Sequence, residues 1–151
     1  MQSATHCAAA DPVGSYLRTL GLTPEIAYFG ASELPIGHRV RPAGCELVYR
    51  LDGDELIICD FLAAAEDDQA GKAVLAFIRL IHQIERHVRE VTAVRGMFMA
   101  QLSDPDLSVL RERLARALEG QGAEWREIDG EPWLVYPMRA ARRRGVTRLR
   151  D

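Results

Sequence analysis

The sequence predicts one α+β domain: a mostly antiparallel sheet built around two Asp-Gly hairpins, with helices on one face. Three observations carry this. Asp52-Gly53 and Asp129-Gly130 each stand between two short runs rich in β-branched and aromatic residues. Residues 69–88 repeat their apolar side chains at three and four, which is the helical period. The segments then follow the order helix, short strand, hairpin, long helix, strand, helix, hairpin, which suits helices laid over an antiparallel sheet.

Residues 1–10 are small and polar and read as a flexible N-terminus. Asp11-Pro12 opens the first helix, because Asp accepts from free amides and Pro suits the first helical position. Tyr16, Leu17 and Leu20 give that helix its apolar face, and Gly21 stops it. A short strand is expected near residues 26–29. Gly30, Pro35, Gly37, Pro42 and Gly44 then make the stretch before Cys45 a loop.

The first hairpin joins Cys45 to Leu51 with Glu55 to Phe61. A type I′ turn on Asp52-Gly53 sets Arg50 opposite Glu55, Val48 opposite Ile57 and Leu47 opposite Ile58. In the long helix Val74, Phe77, Ile78, Ile81, Ile84 and Val88 form the inner face, and Asp67 and Asp68 favour its N-terminal dipole. Residues 91–100 read as a strand with Gly96 inside it. Ser103-Asp104-Pro105 opens another helix, whose inner face is Leu107, Leu110, Leu114, Ala117 and Leu118, and Gly120 ends it. In the last hairpin Ala123 to Ile128 and Glu131 to Tyr136 flank Asp129-Gly130. Arg126 then faces Trp133 as a cation–π pair, and Pro132 argues for an edge strand.

Composition narrows the function. The chain has 151 residues, 48% of them hydrophobic and 27% charged, with a net charge of -3. At that length one domain buries roughly 68–70% of its unfolded surface without metal or disulfide. The charge is divided. Residues 139–151 carry +5 and the remaining 138 carry -8, so an acidic body at 11–138 ends in a basic C-terminal tail. No apolar run approaches a membrane span, and the first ten residues lack the features of a secretory signal. Cys7, Cys45 and Cys59 form no ligand pattern, so a reduced, cytoplasmic setting is expected.

The motifs for chemistry are weak. His82 and His87 are five residues apart, about 500° around a helix, so they diverge and do not share an ion. No Ser lies in a strand–elbow–helix context, and no phosphate-binding Gly loop occurs. Glu66-Asp67-Asp68-Gln69-Ala70-Gly71-Lys72-Ala73 lies between a strand and a helix, where acetyltransferases of the GNAT type bind the coenzyme A pyrophosphate. The element order also looks like the core of that fold. Here one Gly replaces the usual two or three, and three carboxylates face a ligand that wants bare amides. The tail, with Arg142, Arg143 and Arg144, fits an acidic partner. It carries no aromatic residue for base stacking, and the acidic body opposes nucleic acid.

Read end to end, residues 11–138 resemble the LcrR family, proteins encoded with bacterial type III secretion systems and named for the low-calcium response. The resemblance runs through Asp11-Pro12, Tyr16-Leu17, Gly21-Leu22, Ser32 to Gly37 and Leu47-Val48-Tyr49-Arg50. It continues through Ala73-Val74-Leu75-Ala76-Phe77, Leu110 to Leu118 and Gly130-Glu131-Pro132-Trp133-Leu134, and the tail lies outside it. It implies a cytoplasmic, non-enzymatic regulator that needs no cofactor and acts through contacts with other type III secretion proteins. Trp125, Trp133 and Arg142 to Arg144 are the candidate contact residues, since Trp and Arg are enriched at interface hot spots. A secretion chaperone and a GNAT-type acetyltransferase are the alternatives. Oligomeric state, partner and direction of regulation stay open.

Overall fold

A computed structural model describes residues 11–28, 31–42, 44–63, 70–97 and 105–138. The elements in chain order are α1 (Pro12–Thr19), β1 (Glu25–Tyr28), β2 (Pro35–Val40), β3 (Cys45–Asp52) and β4 (Glu55–Ala63). Then come α2 (Ala70–His87), β5 (Ala93–Gly96), α3 (Pro105–Gly120), β6 (Glu124–Ile128) and β7 (Glu131–Pro137). The seven strands form one sheet in the order β1-β2-β3-β4-β5-β7-β6. Only β4 and β5 run parallel among neighbouring strands of this sheet. A parallel pair needs a long crossover, and α2 lies on that connection.

Asp11 caps α1: its Oδ1 accepts from the Gly14 amide at 2.9 Å. Its other oxygen accepts from the Tyr49 hydroxyl at 3.3 Å, which ties α1 to β3. All three helices feed one core with the same sheet face. That face presents Leu47, Tyr49, Leu56, Ile58, Leu134 and Tyr136, and the helices supply Leu17, Phe77, Ile81, Ile84, Leu114 and Leu118. Phe61 meets Phe77 edge-on at 5.2 Å. The inner face of α2 is rotated slightly from the expected one. Ala73 and Leu80 are buried beside Phe77, Ile81 and Ile84, while Val74 and Ile78 are only partly covered.

The structure differs from expectation in several places. The stretch expected as loop contains β2. Pro35 stands at the first position of the strand, where a missing donor is tolerated. At Gly37 a Cβ would collide with the Tyr49 carbonyl, so this glycine allows close strand approach rather than marking a turn. Next, β5 is shorter than expected, from Ala93 to Gly96, and residues 98–100 lie outside the described residues.

The first hairpin differs in register. Asp52 pairs with Glu55, Leu51 with Leu56 and Arg50 with Ile57, so the turn residues are Gly53 and Asp54. Gly53 has φ +64° and Asp54 is not in the positive region, the pattern of a Gly-first type II′ turn. The shift from the expected register is two residues, which leaves every side chain on its own face, so apolar alternation does not choose between the two. Beyond Tyr49–Ile58 the register slips again: Val48 pairs with Asp60, Leu47 pairs with Phe61, and Cys59 is the extra residue of a β-bulge. In the last hairpin Asp129 has φ 54° and Gly130 φ 81°, and Arg126 pairs with Trp133. The strand carrying Pro132 is not the expected edge strand: β7 lies between β5 and β6, and Pro132 is tolerated because β5 pairs only with Leu134 to Pro137.

Candidate functional site

The bulge and the short β5 together frame a concavity on the sheet. The β4–β5 ladder covers Glu55–Ile58 against Ala93–Gly96, while β4 continues to Ala63. Where the pairing ends, a cavity of about 180 Å³ opens. Ile57, Cys59 and Asp60 line it from β4, with Arg50 from β3, Arg111 from α3 and Trp133 from β7. Met97, which follows β5, completes an apolar side.

The charges around this cavity are mostly committed. Arg111 reaches Asp60 with Nη2 3.0 Å from Oδ1, and its side chain is 14% exposed. Arg95 binds Glu55 with Nε 2.9 Å from Oε1, and its guanidinium carbon lies 4.3 Å from the Trp133 ring centroid. Arg50 is the exception. It is exposed, and among the described residues it has no carboxylate within ion-pairing distance. The Cys59 thiol, Asp60 and Arg111 are the other polar side chains that line the cavity with it.

Burial pushes the Cys59 thiol up from its ordinary range, and the Arg50 guanidinium only partly offsets this. The thiol also donates to the Ile36 carbonyl at 3.5 Å. At neutral pH it is S–H, a poor nucleophile. Burial raises the other described thiol, Cys45, to about 12. The arrangement suits holding a ligand rather than attacking one: one available guanidinium, one aromatic face and apolar walls.

The two candidate tryptophans part company. Trp125 pairs with Leu134 and so shares the helix-covered face, where its Nε1–H donates to Glu119 Oε2 at 2.9 Å. Trp133 points to the opposite face, under Arg95 rather than the expected Arg126. Arg126 stands opposite it in register but turns to Glu124, 3.9 Å away. The hairpin therefore offers two surfaces, not one. Arg142, Arg143 and Arg144 lie outside the described residues, as do residues 64–69 of the acidic segment before α2. His82 bonds Gln121 at 3.0 Å, while His87 stacks on Tyr16 with ring centroids 5.1 Å apart.

A second surface feature lies at the far sheet edge. Among the described residues β1 pairs with β2 alone, and Ile26, Tyr28 and nearby Leu34 are 54%, 46% and 63% exposed. Sequence reasoning named neither this edge nor the cavity. The bulge had a signal in the spacing Leu56, Ile58, Phe61, where the inward period changes from two to three. Comparison of the chain with protein-family models finds none that matches, and comparison with curated proteins finds no match.

Proposed function

We propose that this protein regulates bacterial type III secretion by binding other proteins of that system. The secretion context rests on the resemblance of residues 11–138 to the LcrR family. The mode of action rests on one observation, the open apolar edge at β1. An unpaired strand edge offers backbone donors and acceptors to an incoming strand, and Ile26, Tyr28 and Leu34 offer it apolar area. Trp125 adds an exposed aromatic on the opposite end of the sheet. Deleting the gene and following secretion with and without calcium tests the reading. Altered calcium-responsive export is expected, and unchanged export refutes it.

A second reading, a GNAT-type acetyltransferase, rests on the strand–helix–strand–helix–hairpin order of the sequence. The acidic residues Glu66, Asp67 and Asp68 weigh against it, since they precede α2 where a pyrophosphate would need bare amides. Calorimetry with acetyl-CoA decides: saturable heat supports transfer chemistry, and no heat removes it.

A further inference from the structure

We propose that the cavity at the end of the β4–β5 ladder binds a carboxylate carried on a small apolar body, with Arg50 as the anion's partner. This site is separate from the β1 edge and stands whether or not the protein regulates secretion.

The anion follows from the charge balance. Arg111 and Arg95 are each satisfied by a carboxylate, Asp60 and Glu55 respectively. Arg50 has a planar, always-charged fork and, among the described residues, no carboxylate within ion-pairing distance. Such a fork matches a carboxylate with two parallel hydrogen bonds. A phosphate fits less well. Its second charge would need more donors than one guanidinium provides.

The apolar body follows from the walls and the volume. Ile57, Met97 and Trp133 carry little that hydrogen-bonds, and the space is about 180 Å³. A dry protein cavity of roughly 150 Å³ accepts benzene. The site therefore has room for one ring or a chain of about six carbons. That chemistry has two sources: a free short carboxylic acid, or the C-terminal carboxylate of a polypeptide ending in an apolar residue.

Trp133 supplies the readout. Trp125 lies on the other sheet face, so Trp125→Phe leaves Trp133 as the single tryptophan of the full chain, excited apart from the tyrosines. Hexanoate is titrated against hexanamide, and N-acetyl-glycyl-leucine against its C-terminal amide. The expected result is a saturable change in Trp133 emission with at least one of the acids at about millimolar concentration. The matching amides should give none, and Arg50→Gln should weaken the acid at least 10-fold. Tighter binding of the dipeptide acid identifies a polypeptide end as the source, and tighter binding of hexanoate identifies a small acid. No saturable change with either acid, equal binding of the amides, or full binding by a folded Arg50→Gln overturns the proposal. The acid–amide contrast needs no change at Arg50, so it decides the matter even if that variant does not fold.

Discussion

The guanidinium of Arg95 lies 4.3 Å from the ring centroid of Trp133, on the sheet face away from the helices. Arg95 belongs to β5 and Trp133 to β7, while the Glu55 carboxylate that completes the contact belongs to β4. One side chain thus links three adjacent strands across the parallel pair. Its side chain is 11% exposed, so the contact is largely desolvated. Arg95→Met keeps most of the stem and removes the charge. It should lower the unfolding free energy by about 1–2 kcal/mol, read from the urea midpoint. Arg126→Met should cost under about 0.5 kcal/mol, because Arg126 is 57% exposed and its ion pair with Glu124 is long, at 3.9 Å. Equal losses would show that register, not the ring contact, sets the energy.

Gly37 and Gly71 make an opposed pair. A Cβ at Gly37 would strike the backbone carbonyl of Tyr49, which cannot move without disturbing β3. Gly37→Ala should destabilise the fold by about 1–3 kcal/mol. At Gly71 the nearest atom is Arg113 Nη1 at 3.8 Å, an ordinary contact, and the position is in the first turn of α2. Gly71→Ala should be neutral to about 1 kcal/mol stabilising. Thermal denaturation of the two variants side by side checks the difference in sign. A Gly71→Ala variant as stable as expected also serves as a clean variant for any coenzyme A titration.

Alkaline pH should unfold this protein through its core. Burial raises the Cys45 thiol from 9.0 to about 12, and burial with the Asp11 carboxylate raises the Tyr49 hydroxyl from 10.0. A raised folded-state value means that the folded chain holds its proton where the unfolded chain has lost it. The stability linked to each group is complete below its unfolded value and is lost as pH climbs above it. Urea midpoints should therefore fall steadily from pH 9 towards pH 12. Cys45→Ala should flatten the onset near pH 9, and Tyr49→Phe the part above pH 10. A pH-independent midpoint across that window would contradict the burial of both groups.

The helices were legible because their signals are local. Asp11 with Pro12, and the apolar repeat through Phe77, Ile81 and Ile84, are satisfied within a few residues of chain. The sheet was legible in class but not in register. Two hairpin registers differing by two residues place Leu47, Tyr49, Leu56 and Ile58 on the same face; both need a positive φ at Gly53, and what separates them is Asp52, whose φ is not positive as a type I′ turn on Asp52-Gly53 requires. β2 was hidden because Pro35 and Gly37 carry turn chemistry, and a glycine serving close strand approach looks the same in sequence. The cavity was hidden because Arg50, Cys59, Arg111 and Trp133 come from four elements. Their meeting depends on a bulge and on where β5 stops.

The β1 edge and the basic tail are separable surfaces, and two variants distinguish them. Ile26 and Tyr28 are about half exposed, so Ile26→Lys with Tyr28→Lys should move stability by roughly 1 kcal/mol or less. If β1 pairs with a partner strand, those charges block it, since edge lysines are how sheets resist pairing. Co-purification from the native bacterium should then lose the partner, while circular dichroism stays unchanged. Truncation of residues 139–151 removes a net +5. If the tail grips an acidic partner, truncation should weaken the complex and flatten its dependence on salt, because six Arg charges no longer contribute. A complex that loses affinity only on the edge substitution locates binding on the sheet and leaves the tail a solvated end. Light scattering on the same samples tests the chaperone alternative. A monomer that retains no effector in a pull-down argues against it, and a dimer dissolved by the two lysines would place the β1 edge between copies of this chain.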